Sequence, residues 1–390
     1  MEPLGRYYTI QVVSNLLVSK FQQKAPQNVL DLGVGEGSLL SAAFARWRHA
    51  QFYAIDVDPN SISRVTPKLS FAKILHIDGL SPNLPQKMNL KVGSLDVAVC
   101  NPPYLRLDNG DRIKSFLKDA ALERSMRLSR MTSDLMFLAQ NLRMLRTGGE
   151  LGIILPDSMF TGHEFAGLRE DLVNNHRIIG IIQLPDKIFA NTEARTHILL
   201  LDKGGLSASK IPLYKSNTYG ELGEAIFISK KESIYRMDYS YYVWKRHRRY
   251  KNTSATLKDL NVEIKRGSQS KKELEHLGIQ CFHTSSFPDS LHSTVKLNNA
   301  VIPNTIIAEP GDILIARVGK RCMGRVTMVD AGCQVISDCV YRLRASNQYS
   351  KKIRDALISR EGQQWLQAHA HGVCAQVISK KDLLSFEVEV

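Results

Sequence analysis

Along the first two hundred residues, short apolar runs alternate with stretches in which apolar positions recur every three or four residues. The runs at 28–34 (NVLDLGV), 52–57, 73–78, 95–100, 151–156, 178–184 and 197–202 are bounded by turn residues and read as strands. Between them the spacing predicts helices over 9–23, 37–46, 133–146 and 164–175. The third is the clearest, with Leu135, Leu138, Leu142 and Leu145 on one face and Gly148-Gly149 as its stop. Regular alternation of strand and helix predicts an α/β domain around a mainly parallel sheet of seven strands. Residues 104–131 are charged and follow neither period, which marks a long excursion from the sheet of the kind that often carries function.

From about residue 204 the pattern changes. Short β-rich runs separated by polar turns occupy 305–319, 324–330 and 333–344, and one helical stretch follows from Lys351 to Ala370. This predicts a smaller α+β domain, so we expect domains at 1–240 and 252–390 joined by a hinge at 241–251. A chain of 390 residues suits two such domains. With 43% hydrophobic and 23% charged residues the composition is that of globular protein, and no apolar run approaches the length of a membrane span. The opening MEPLGRYYTI lacks the basic and apolar regions of a secretory signal, and the six cysteines are irregularly spaced. The expectation is a cytoplasmic protein with reduced thiols.

Charge adds a partner. There are 52 Lys and Arg against 38 Asp and Glu, a net +14, and the isoelectric point is near 9.4. Residues 1–240 hold 29 basic and 24 acidic side chains (+5), whereas 241–390 hold 23 and 14 (+9). Such an excess favours a polyanion, nucleic acid before membrane. The segment YYVWKRHRRYK (241–251) has five Lys or Arg and no acid. Lys245, Arg246, Arg248 and Arg249, interleaved with Tyr241, Tyr242, Trp244 and Tyr250, are candidate contacts to a DNA backbone, with a solvated linker as the competing reading. Arg317, Lys320 and Arg321 join them as DNA-binding candidates.

The chemistry begins at Asp31-Leu-Gly-Val-Gly-Glu-Gly37, which follows the first strong strand and opens a helix. Gly33, Gly35 and Gly37 permit a tight turn and let a ligand approach bare backbone. The spacing is GxGxG and not GxGxxG, and Glu36 would repel a pyrophosphate, which argues against dinucleotides and nucleoside triphosphates. A cationic ligand without phosphate suits the loop better, and S-adenosylmethionine, with its sulfonium, ammonium and ribose, is one. Asp56, ending the second strand, can accept from both ribose hydroxyls, and Asp78, ending the third, from the adenine amino group. A plain glycine turn with two helix-capping aspartates is the competing reading.

The fourth strand ends in Asn101-Pro102-Pro103-Tyr104. Two prolines remove two N–H donors and leave a rigid turn that presents acceptors. The Asn101 side-chain oxygen and the Pro102 carbonyl can each take one hydrogen of a planar exocyclic amine, which withdraws the nitrogen lone pair from the ring and aims it at an electrophilic methyl. Tyr104 offers a face on which a base can stack. A Pro-Pro β-turn with an Asx cap is the alternative.

Asp31 to Gly37, Asp56, Asp78 and NPPY, in that order, resemble the gamma group of DNA adenine-N6 methyltransferases over most of residues 6–203. The resemblance implies a Rossmann-like methyltransferase domain, with Tyr8 and Thr9 lining the methionine end of the cofactor and Asp31, Gly33, Gly35, Gly37, Asp56, Asp78 and Asn101 completing its site. Leu184-Pro-Asp-Lys-Ile-Phe189 followed by Thr196-His-Ile-Leu-Leu resembles the methylase subunits of type I restriction–modification systems, which makes Phe189 the partner of Tyr104 in stacking a flipped adenine. Asp134 also matches a family position. The loop itself reads Leu-Gly-Val-Gly where many relatives have Pro-Ala-Cys-Gly. Pro310 to Gly319, Ile336 to Arg344 and Val377 to Phe386 resemble a target-recognition domain of type I specificity subunits.

These resemblances imply a sequence-specific DNA methyltransferase that uses S-adenosylmethionine and catalyses with Asn101, Pro102, Tyr104 and Phe189. Double-stranded DNA is the expected partner, with a cognate restriction enzyme or system subunits alongside it. The alternatives are a methyltransferase for a protein glutamine or an rRNA amino group, and a methylase subunit active only with partners. No metal is expected: His369, His371 and Cys374, and Cys322, Cys333 and Cys339, lack paired CxxC spacing.

Overall fold

The computed structural model describes residues 9–107, 111–189, 195–206, 208–247, 254–303, 305–319, 322–372 and 376–389. Two compact units are present, Met1–Tyr239 and Ser240–Val390.

Unit 1 is an α/β fold on a large mixed sheet. Its strands are β1 (Asn28–Leu32), β2 (Gln51–Asp56), β3 (Ala72–His76), β4 (Leu95–Cys100), β5 (Leu145–Pro156), β6 (His176–Gln183), β7 (Thr196–Lys203), β8 (Lys210–Lys215) and β9 (Ile226–Ser229), in the order β9-β8-β6-β7-β5-β4-β1-β2-β3. The sheet thus has nine strands where the apolar pattern predicts seven. The two additions, the edge strand β9 and its neighbour β8, have half-buried patterns, and Pro212 precedes the three residues of β8 that pair with β6. Strands β1 to β5 run parallel, whereas β7 is inserted antiparallel between β5 and β6. Every residue of β4 is buried, as a strand covered on both faces requires.

Helices α1 (Gln11–Ser19), α2 (Ser38–Arg46), α3 (Asp111–Asp119), α4 (Ser133–Met144) and α5 (Ala166–Asn175) accompany this sheet. One contact shows how closely they pack. A β-carbon at Gly152 would lie 2.6 Å from Leu17 Cδ2 and 2.7 Å from Phe21 Cζ, so β5 admits α1 only because that position is glycine. The excursion after β4 is closed by a short antiparallel ladder, Arg106 opposite Thr132 and Leu107 opposite Met131.

Unit 2 begins within α6 (Tyr239–His247), where the sequence predicts a hinge. Helical spacing turns Tyr241 and Tyr242 inward, 7% and 2% exposed, and Tyr241 and Trp244 meet the buried His369 edge-on at 5.1 and 4.9 Å. Tyr241, Tyr242 and Trp244 therefore pack toward the core of unit 2, while Tyr250 lies outside the described residues. A five-stranded sheet follows: β10 (Glu263–Arg266), β11 (Thr294–Lys296), β12 (Ile313–Ala316), β13 (Val326–Ala331) and β14 (Val340–Arg344), in the order β10-β14-β12-β13-β11. Along β12, Ile313 and Ile315 join one apolar cluster and Leu314 and Ala316 another, so both faces are covered.

The helical stretch expected from 351 to 370 is two helices, α7 (Asn347–Ile358) and α8 (Arg360–His369). Ser359 breaks it by capping the second: its side chain accepts the Gly362 amide at 3.0 Å. Among the described residues no helix is long and apolar enough to cross a membrane.

Candidate functional site

A cavity opens at the carboxyl ends of β1 to β4, where the loops of an α/β sheet meet a ligand. Three connections build one wall. The loop after β1 takes left-handed φ at Gly33, Gly35 and Gly37 (87°, 52° and 81°), and the Gly33 and Val34 amides donate to the Ile55 carbonyl at 2.8 and 2.9 Å. Asp56, 6% exposed, fixes the loop from β2: Oδ2 accepts the Gly35 amide and Oδ1 the Asp58 amide, both at 2.9 Å. Asp78 is exposed at the end of β3 and accepts the Leu80 amide at 2.9 Å. Phe137 of α4 forms the floor. A β-carbon at Gly33 would come within 3.3 Å of its ring, and one at Gly79 would lie 2.8 Å from Leu32 Cδ1.

Thr9, Gly33, Gly35, Asp56, Asp78 and Asn101 line this cavity together. Asp31 and Gly37, expected among them, support it from behind. Asp31 is 1% exposed, and burial first, the Asp56 carboxylate second, push its pKa well above the usual carboxylate range, against the Leu40 amide that lowers it. Gly37 caps α2 in the left-handed conformation, against Leu69. Tyr8 lies outside the described residues.

The wall holds the carboxylates of Glu36, Asp56 and Asp78 and, among the described residues, no Lys or Arg. That donor set suits a cation and disfavours a phosphate. The bare glycine backbone of the loop leaves room for a ligand to lie against it, and S-adenosylmethionine fits both features.

The opposite wall is the turn after β4. Asn101 Nδ2 donates to Thr9 Oγ1 at 3.0 Å, which sets the orientation of the amide. Pro102 is buried, Pro103 lines the cavity, and Tyr104 is half-buried without being part of the lining. Ser133, at the first turn of α4 and 2% exposed, clasps this turn. Its hydroxyl donates to the Pro103 carbonyl and accepts the Leu105 amide at 2.8 Å, while its own amide donates to the Leu105 carbonyl at 2.9 Å. The Pro102 carbonyl has no hydrogen bond among the described residues. Within one turn, the Pro103 carbonyl is thus held by protein while the buried Pro102 carbonyl beside it has no partner among the described residues. Next to Ser133, Asp134 is 4% exposed, and burial raises its pKa to about 6.

Ser133 and Phe137 are the residues that sequence reasoning misses. A helix start at 133 is legible, but a bond across 30 positions of chain leaves no local pattern.

Phe189 is not brought to the cavity. Its ring is 3% exposed within the core cluster that includes Ile182, Leu184 and Ile198. Of the DNA-binding candidates, Lys245 is half-buried with its ammonium 5.5 Å from the Tyr242 ring centre, and Arg246 is exposed. Arg317 is half-buried, donates to the Asp338 carbonyl at 3.1 Å and lies 5.5 Å from the Tyr341 ring centre, so it is partly tied into the fold of unit 2. Arg248, Arg249, Lys320 and Arg321 lie outside the described residues. Among the described residues no group of His, Cys, Asp and Glu is arranged to hold a metal ion.

An α/β sheet with a ligand cavity at the carboxyl ends of its parallel strands defines the class of the site. The family model for N-6 DNA methylase matches residues 2–261, two thirds of the chain, and the chain belongs to that family. It is 23% identical over 218 residues to the type I restriction enzyme MpnII methylase subunit of Mycoplasma pneumoniae, covering 51% of this chain and 40% of that one. It is 25% identical over 230 residues to the type II methyltransferase M.BsuBI of Bacillus subtilis, covering 52% and 44%. The matched part of the chain thus spans less than half the length of these curated relatives. Among solved structures, the type IIG restriction endonuclease BpuSI is similar in fold, with a TM-score of 0.52 and 13% identity over 97% of this chain and 57% of that one.

Proposed function

We propose that the protein transfers a methyl group from S-adenosylmethionine to N6 of adenine in DNA, at a specific sequence and on a base turned out of the duplex. The observation that carries this reading is the shared cavity: the acidic glycine cradle and the NPPY turn open onto one space. S-adenosylmethionine supplies an electrophilic methyl when bound. The residues to hold it are Thr9, Gly33, Gly35, Asp56 and Asp78, with Phe137 beneath.

Asn101 and Pro102 act on the acceptor. The Asn101 amide gives a hydrogen to Thr9, which orients its oxygen to take one N6 hydrogen, while the Pro102 carbonyl takes the other. Both acceptors are neutral and rigidly placed, so they cost no reorganisation as the nitrogen gains positive charge. The proton lost from N6 departs after or during transfer. Tyr104 supplies the stacking face, and Phe189 stays in the core behind the site. The recessed turn implies base flipping, at a cost of a few kcal/mol. Unit 2 is the proposed target-recognition domain, with Lys245, Arg246 and Arg317 among its backbone contacts.

The test is to incubate the full chain with labelled S-adenosylmethionine and, separately, adenine-containing duplex DNA, ribosomes and release-factor protein. N6-methyldeoxyadenosine in the DNA digest is expected. Label in RNA or protein instead would overturn the reading. The likeness to a type I methylase subunit favours a second reading, a chain silent without partner subunits. Activity of the chain alone excludes it.

A further inference from the structure

Arginine in unit 1 is almost always matched. Thirteen of its arginine side chains are described: seven pair with a carboxylate, two give their N–H groups to backbone carbonyls, and Arg48 lies over the Phe44 ring. The remaining three are Arg106, Arg127 and Arg130. All are exposed, and none has an ion pair or side-chain hydrogen bond among the described residues.

These three belong to one segment. All lie in the excursion after the NPPY turn, where 104–132 holds seven basic and four acidic residues. Arg106 stands in the closing ladder opposite Thr132, between Leu105 and Leu107, which line the cavity. Strand alternation sends Arg106 to the other face. Arg130 leads into the same ladder two residues before Thr132, and Arg127 lies three residues further back, at the end of a short 3₁₀ turn. The ladder is continuous with Ser133, whose clasp holds Pro103 and Leu105.

We infer that Arg106, Arg127 and Arg130 form a phosphate-binding face that grips the backbone of the target strand beside the base entering the NPPY turn. The inference rests on the proposed DNA reading and deepens it by placing the grip in unit 1. The chemistry is specific to a polyanion. Exposed guanidinium groups with no carboxylate partner among the described residues offer planar N–H pairs to phosphate oxygens. Among the described residues no Lys or Arg lines the cavity, so affinity for a polynucleotide is drawn from its surroundings.

The experiment replaces the three arginines by Gln in the full chain and measures duplex binding across a salt series. A charge-matched control replaces the exposed Lys68, Lys73 and Lys87, and S-adenosylmethionine affinity reports folding. We expect the slope of log K against log salt to flatten by roughly 0.9 per lost contact, about 2 to 3 in all, equally for cognate and random duplexes. Control slope and cofactor affinity should stay at wild-type values. Each single Arg→Gln variant should lose about one contact, which keeps the test informative if the triple variant folds poorly. An unchanged slope, or an equal change in the control, would overturn the inference. If the wild type methylates DNA while the slope holds, only this inference fails. Failure of the wild type to bind DNA overturns both.

Discussion

The cavity of unit 1 and the sheet of unit 2 handle charge in opposite ways. Around the cavity three carboxylates line an open space with no Lys or Arg among its described lining residues. In unit 2 charges answer one another. Arg344 grips Asp312 through two bonds of 2.7 and 2.8 Å and reaches Glu309 at 2.6 Å, Arg342 meets Glu263, and Arg266 meets Asp338 at 2.9 Å. Asp312 belongs to the Pro310-Gly-Asp turn, is 2% exposed, and has its partner in place. A buried carboxylate left without one would cost several kcal/mol. Carboxylates that line a space therefore point to a ligand, and charges paired inside a sheet point to the fold. The net +9 of residues 241–390 is less available than its size suggests.

The largest effect that would break this contrast is at Asn101. In Asn101→Ala, kcat should fall by about two to three orders of magnitude, the cost of losing one preorganised hydrogen-bonding group, with cofactor and DNA binding retained. Parallel loss of cofactor binding would move Asn101 out of the transition state and into the cradle.

Next is Asp56→Ala. Losing a charge-assisted bond to the ribose should weaken S-adenosylmethionine binding by about 1.5–3 kcal/mol in calorimetry. The Gly35 amide loses its acceptor too. Asp56→Asn keeps an acceptor for that amide and should recover part of the affinity, which separates loop support from direct contact.

Ser133→Ala should act through the turn. It leaves the Pro103 carbonyl and the Leu105 amide without their side-chain partner, worth about 1–3 kcal/mol. The expected reading is a lower kcat at unchanged cofactor affinity, with Ser133→Thr restoring most of it. A fall confined to thermal stability would make Ser133 a structural residue alone.

The smallest change tests unit 2. Lys245→Gln with Arg246→Gln should leave stability within about 0.5 kcal/mol, since neither side chain belongs to the core. The DNA salt slope should fall by less than the 1.8 that two full contacts give, at roughly 0.9 each, because Lys245 is half-buried over Tyr242. A larger drop than that of the arginine face in unit 1 would reverse the comparison.

Much of unit 1 could be read from the chain because its signals are local. Apolar runs between turn residues mark β1 to β7, and glycines 33, 35 and 37 sit where backbone must take positive φ. The edge strand β9 and its neighbour β8 carry only half of such a pattern and escape notice. In unit 2 the basic segment 241–251 shows charge and aromatic content together, which composition cannot separate. Packing does, by turning Tyr241 and Tyr242 inward and leaving Arg246 exposed. The break between α7 and α8 is legible after the fact as Ser359, but a serine inside a periodic stretch is compatible with either outcome.

Sequence alone therefore determined the α/β pattern of the first unit, the residues of the cradle and the acceptor turn, and the basic balance, because each is written in neighbouring positions or in plain counts. Tertiary structure decided which of those residues share one space. It set Asp31 and Gly37 behind the cavity and Phe189 in the core, joined Thr9 to Asn101 across 92 positions and Ser133 to Pro103 across 30. It also sorted the arginines into matched and unmatched. Those outcomes depend on contacts between distant segments, and a linear pattern of residue types has no register for distance in space.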